Sequence, residues 1–244
     1  MQNYEPWFIR IQPKMTVPAM TYGETVIGDS KDILYFLAER HPGLYPAGPE
    51  RASIDGFINK FYGSFGLIAA FTFGHLVHTN SAVKEFIRKG KTDVSRAKLE
   101  QVVRGSDPVL ADLARVKLQQ KQAFDMVAWA ESQDVDALCK LMGAQLDGME
   151  ASLATGQPFL VGDSYTLADT VATAFCARVH FIKGEALFGP SVNAYWGRMQ
   201  ERPSFKQAYI CATWEDALMS KQVDAAARGD DPLAVEWARP HVSQ

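Results

Sequence analysis

Apolar positions along this chain change their period near residue 30, and the change divides it into two unlike parts. Between Thr16 and Gly28 they suit extended backbone: Val17, Ala19 and Tyr22 lead to a turn at Tyr22-Gly23-Glu24, and the β-branched run Thr25, Val26, Ile27 follows. The pattern predicts a strand pair, with Val17-Pro18 opening the first strand. From Ser30 the period becomes helical, Ile33, Leu34, Phe36 and Leu37 forming one face, and His41-Pro42-Gly43 ends it. Pro46, Gly48 and Pro49 mark a linker.

Everything after that linker is helical in pattern. Phe57, Phe61 and Phe65 recur every fourth residue, and a helix from Asp107 to Gln120 has a proline at its start. A long periodic run follows over 121–154, broken by Gly156-Gln157-Pro158. Further helices are predicted over 166–183, 191–201 and 204–219, before a loosely held tail. The fold class is therefore α+β and mostly helical. Its predicted parts are an αβ piece over 1–44, an all-helical domain over 51–219 and a tail over 220–244. Two strands and one helix bury too little to stand alone, so the sheet needs either further strands or the support of the helical domain.

Composition narrows the function classes. The chain has 244 residues, 47% of them hydrophobic, and a formal net charge of −3, which suits a globular protein and gives no electrostatic footprint for nucleic acid. Cys139, Cys176 and Cys211 lie far apart without a CxxC pair, so neither a zinc site nor a disulfide framework is expected, and the chain reads as cytoplasmic. The first ten residues hold no apolar run of the signal-peptide kind. The longest apolar run, Gly66 to Val77, covers only 12 residues, well short of the roughly 20 that a membrane helix needs. No membrane partner is expected. His75 and His78 share a helix face, yet no acid or cysteine at ligand spacing joins them, so no metal is predicted.

Three short motifs carry candidate chemistry, each beside an ordinary alternative. Val17-Pro18 leaves backbone free to pair with an extended peptide-like ligand, as a strand would, or it is a plain strand entry. Asp29-Ser30 stands at a helix start, where N–H groups favour a ligand carboxylate and Asp29 suits an ammonium group; the same pair also serves as a simple cap. Thr166 and Asp169 fit a capping box, whose role is stability.

The order of "TVPAM", "DS", a linker and helices containing "PFLVGDSYTLADTVAT" resembles the cytosolic glutathione S-transferase family. The segment "NYEPWFIRIQPKMTVPAM" and the polar stretch between Thr79 and Gln120 narrow the resemblance. They point to the branch of ganglioside-induced differentiation-associated protein one and the tetrachlorohydroquinone dehalogenases. The resemblance implies a thioredoxin-like first half, a cis peptide before Pro18, and glutathione held by Val17, Pro18, Asp29 and Ser30. It also implies a small apolar electrophile, of which halogenated aromatics are one class, lying near Phe57, Phe61 and Phe65, and a homodimer. Glutathione would be a co-substrate, its thiolate the attacking nucleophile. Family members begin with a strand, a helix and a second strand that the matched segment lacks, so the thiol-activating residue is expected to be absent and transfer impaired. Tyr4 and Tyr22 are the hydroxyls nearest the motif, but Tyr4 precedes an aromatic-rich stretch and Tyr22 sits in a turn at the far end of the strand, so neither is expected to replace it. The rival expectation is a non-catalytic module of the same fold that binds ligands or partners.

Overall fold

The computed structural model of the chain describes residues 2–79, 84–85, 87–88 and 93–208. A 3-10 turn (Gln2–Tyr4) leads into α1 (Pro6–Ile11), where Pro6 occupies a first-turn position whose N–H would have no helical partner anyway. The sheet is a hairpin of β1 (Met20–Tyr22) and β2 (Thr25–Ile27), with Met20 opposite Ile27 and Tyr22 opposite Thr25. Gly23 takes φ +58 in the turn, where a Cβ would be strained.

Val17-Pro18 does not open the strand. The ladder starts at Met20, because β2 ends at Ile27, the partner of Met20. Proline has no N–H to extend it. The Val17–Pro18 peptide is cis, in line with the resemblance.

Helix α2 (Ser30–Ala38) closes the αβ piece, and a 3-10 turn (Pro42–Leu44) carries the chain into the helical part. There follow α3 (Pro49–Gly63), α4 (Phe65–Thr79), α5 (Val94–Val103), α6 (Pro108–Gln122), α7 (Met126–Glu131), α8 (Val135–Leu153), α9 (Leu167–Phe181), α10 (Pro190–Gln200) and α11 (Pro203–Ala208). The run over 121–154 is thus three helices. Asp125 and Asp134 break it, each turning its carboxylate onto backbone N–H groups of the helix that follows. The part of the 204–219 helix beyond Ala208, Cys211 and the tail lie outside the described residues.

Helix α9 runs through the main core, with Ala172, Cys176 and Val179 fully buried among Ile54, Ile58, Phe71, Met142, Leu146 and Tyr195 from α3, α4, α8 and α10. A second core joins Tyr4, Ile9 and Met15 to Leu99, Val102, Leu110 and Ala114. The α5–α6 pair therefore covers the chain's first fifteen residues, and an exposed ion pair, Arg10–Asp107 (2.9 Å), and a partly buried one, Lys98–Glu5, flank the contact. Among the described residues, no helix is long and apolar enough to cross a membrane, and no three His, Cys, Asp or Glu side chains cluster as metal ligands would.

Candidate functional site

Residues from both parts of the chain meet in a cavity of about 760 Å³ at the start of α2, lined by Gln12, Val17, Pro18, Asp29, Ser30 and Tyr62 among others. Gln12 organises its floor. The buried side-chain amide donates to the Gly28 carbonyl (2.8 Å) and its oxygen accepts from the Lys14 N–H (3.3 Å). A Cβ at residue 28 would stand 1.8 Å from Gln12 Nε2, so a side chain there would displace the Gln12 amide from the Gly28 carbonyl. Asp29 is the N-cap of α2: its Oδ1 accepts from the Lys31 N–H at 2.8 Å. Ser30 follows at the first helical position, where backbone N–H groups and the helix dipole favour an anion.

Tyr62 comes from α3 and donates to Ser30 Oγ at 3.1 Å. Burial raises its pKa most, and the Asp29 charge adds to the rise. The hydroxyl therefore stays protonated well into the alkaline range. Two more residues on the same face of α3 hold the αβ piece. Asn59 accepts from Lys31 Nζ (2.7 Å), and Asp55 accepts from the hydroxyls of Tyr35 and Tyr45 (each 2.7 Å). Burial, then the bond to Asp55, raises both tyrosine pKa values, that of Tyr45 to about 12.

Phe57 and Phe61 do not join this cavity. At 100° per residue they point away from the Asp55–Asn59–Tyr62 face. They line a separate cavity of about 680 Å³ with Met149 and Phe175, Phe61 meeting Phe175 edge to face at 5.4 Å. Both phenylalanines also pack on the main core. The Phe65 side chain lies outside the described residues.

Asp169 is fully buried, and its carboxylate accepts from the N–H groups of Leu160 (3.0 Å) and Thr166 (2.9 Å) and the hydroxyls of Thr166 (3.1 Å) and Tyr195 (3.1 Å). Together with Thr166 it forms a complete capping box. Burial raises its pKa, against the pull of these bonds. Cys176 is also raised, to about 12, by burial alone, and Cys139 is raised by burial and then by Asp136, so neither favours the thiolate.

Tyr4 is buried in the second core, and Tyr22 meets Phe36 edge to face at 5.3 Å beside Arg40, so neither lines the cavity. Among the described residues, the tyrosine that lines it is Tyr62. Its sequence signal is the polar series Asp55, Asn59, Tyr62 at i, i+4, i+7, opposite the phenylalanine stripe. Gln12 had no such signal.

Two family models match the chain: the glutathione S-transferase N-terminal domain over residues 1–40 and the C-terminal domain over residues 108–203. A tetrachloro-p-hydroquinone reductive dehalogenase of Sphingobium chlorophenolicum is 26% identical over 231 residues, covering 89% of this chain and 84% of that protein. A ganglioside-induced differentiation-associated protein 1-like 1 of Mus musculus is 23% identical, covering 84% of this chain but only 62% of that longer protein. Among solved structures, a β-etherase of Sphingobium sp. strain SYK-6 aligns with TM-score 0.58 at 19% identity, over 85% of this chain and 83% of its own. An epsilon-class glutathione S-transferase of the housefly Musca domestica aligns with TM-score 0.52 at 16% identity, over 92% and 81%. The likeness of both is one of fold, which in this chain is a partial thioredoxin-like αβ piece followed by a helical domain. With the two domain models in the family's order over more than half of its length, the chain belongs to the glutathione S-transferase family.

Proposed function

We propose that the cavity at the start of α2 binds glutathione and that the chain transfers its thiol to a small apolar electrophile. The observation that carries this reading is the meeting of Val17-Pro18, Asp29 and Ser30 in one cavity. The γ-glutamyl carboxylate would lie at the first turn of α2 with the Ser30 hydroxyl as a further donor, and the ammonium group beside the Asp29 carboxylate. The extended tripeptide would pair with the main chain at Val17. Likeness to a reductive dehalogenase favours halogenated aromatics as electrophiles. The nucleophile is the thiolate, so transfer needs a donor at the sulfur that lowers the thiol pKa.

A phenylalanine-lined apolar cavity, Phe57 and Phe61 with Phe65 next along the chain, would suit an apolar ligand. It faces away from the glutathione cavity across α3, so an electrophile that meets the sulfur enters from the open side of the first cavity. The short hairpin, with Tyr22 and Val26 exposed, supports self-association into a homodimer.

The second reading is a glutathione-binding module with little turnover. It is favoured by the mutual engagement of Ser30 and Tyr62 at the head-group end, which leaves neither hydroxyl assigned to the sulfur. Calorimetric titration with glutathione, beside a conjugation assay with a chlorinated nitroaromatic, separates the two. Binding by the parent, weakened about tenfold in Asp29→Ala and Ser30→Ala, is the expected result. Turnover above the solution rate then selects the transferase and its absence the module. No binding at millimolar glutathione sinks both.

A further inference from the structure

We propose that Tyr62, a residue of the helical part, is a positioning residue for the glutathione site: it fixes the Ser30 hydroxyl so that its proton points at the bound carboxylate. This rests on the reading that the cavity takes glutathione. A serine hydroxyl has one proton and two acceptor lone pairs, and its rotation is set by whatever it bonds. Tyr62 donates to Ser30 Oγ at 3.1 Å from the α3 side, so one lone pair is taken there. The Ser30 proton must then turn away from Tyr62, and Ser30 itself lines the cavity. A γ-glutamyl carboxylate at the first turn of α2 would be the acceptor it meets.

The arrangement is held from two sides. Asn59, one turn before Tyr62, holds the Lys31 ammonium at 2.7 Å, and that ammonium lies 6.0 Å from the centre of the Tyr62 ring. Tyr62 is thus tied to the first turn of α2 through its ring as well as its hydroxyl. Because the hydroxyl stays protonated, the donor persists across the working pH range. The helical part thus contributes to the ligand site through its hold on Ser30.

Tyr62→Phe removes only the hydroxyl and keeps the ring against Lys31. Glutathione is titrated calorimetrically into the parent, Tyr62→Phe, Ser30→Ala and the double variant, with near-ultraviolet circular dichroism confirming that each is folded. Cysteinylglycine, which lacks the γ-glutamyl head, is titrated in parallel. Loss of one oriented hydrogen bond should weaken glutathione about fivefold in Tyr62→Phe. The double variant should be no weaker than Ser30→Ala, and cysteinylglycine should bind the parent and Tyr62→Phe alike. Equal glutathione affinity in parent and Tyr62→Phe overturns the inference while leaving the proposed function standing. So do losses that multiply in the double variant, or an equal loss for cysteinylglycine, since either would mean that Tyr62 acts on the fold and not through Ser30. A parent that binds no glutathione removes the proposed function, and this inference with it.

Discussion

Glu150 caps a helix it does not belong to. From α8 its two carboxylate oxygens accept the N–H groups of Ser191 and Val192, each at 2.8 Å, in the first turn of α10. Burial alone would raise its pKa, but these bonds outweigh burial and hold it below the ordinary 4.5. A lowered native pKa means that the stabilisation is complete above the ordinary glutamate range and is lost as pH falls through the native value. Glu150→Gln should therefore cost about 1 kcal/mol at pH 7, the scale of a lost cap, and the two proteins should converge in denaturant titrations at acid pH. A constant gap down to pH 3 would show that the charge is not involved. Asp169 is the opposite case, a buried acceptor with several donors aimed at it. Replacing it with Ala leaves the Leu160 and Thr166 N–H groups and the Tyr195 hydroxyl without their acceptor, which should cost about 3 kcal/mol and lower the melting temperature by roughly 10 °C. An unchanged melting temperature would contradict that accounting. The Asp169 role was legible because a capping box is local, spanning four residues. The donors at Leu160 and Tyr195 were not, since nothing local brings them there.

At the scale of elements, strands and caps were legible where one signal dominated. The hairpin turn, the 3-10 turn at Pro42-Gly43 that follows α2 and the proline start of α6 all involve Gly or Pro, whose backbone limits act in any context. The break of the 121–154 run was hidden because apolar spacing continues across Asp125 and Asp134, and only their conformation makes them caps. The polar segment before Gln120 concealed more. Helices α5 and α6 within it supply Leu99, Val102, Leu110 and Ala114 to the second core, a long-range match between residues about ninety positions apart. Leu99, with no exposed surface, is the test residue. Leu99→Ala should cost about 3 kcal/mol and strip hydrogen-exchange protection from residues 6–11 while sparing α9. If α9 loses protection in parallel, the two cores unfold as one unit.

For the molecule as a whole, the main core, the second core, a smaller apolar cluster of Val77, Ile87, Val127 and Ala130, and a three-point polar connection along α3 define the behaviour. The hairpin is two strands of three residues among the described elements, with Val26 on its exposed surface. Val26→Lys should reduce self-association, read as a smaller sedimentation coefficient at equal concentration, because charge on a strand edge opposes pairing. No change would place any dimer contact elsewhere. Besides the second core, a polar connection between the parts runs along one face of α3, through Asp55, Asn59 and Tyr62. Those three contacts share a helical register, so they tolerate damage unevenly. Losing any one side chain leaves the other two in place. A single alanine inserted after Ser53 would instead swing all three through about 100° at once, carrying the hydroxyl off Ser30 and the carboxylate off Tyr35 and Tyr45 together. For this helix an added residue should be far more damaging than a changed one.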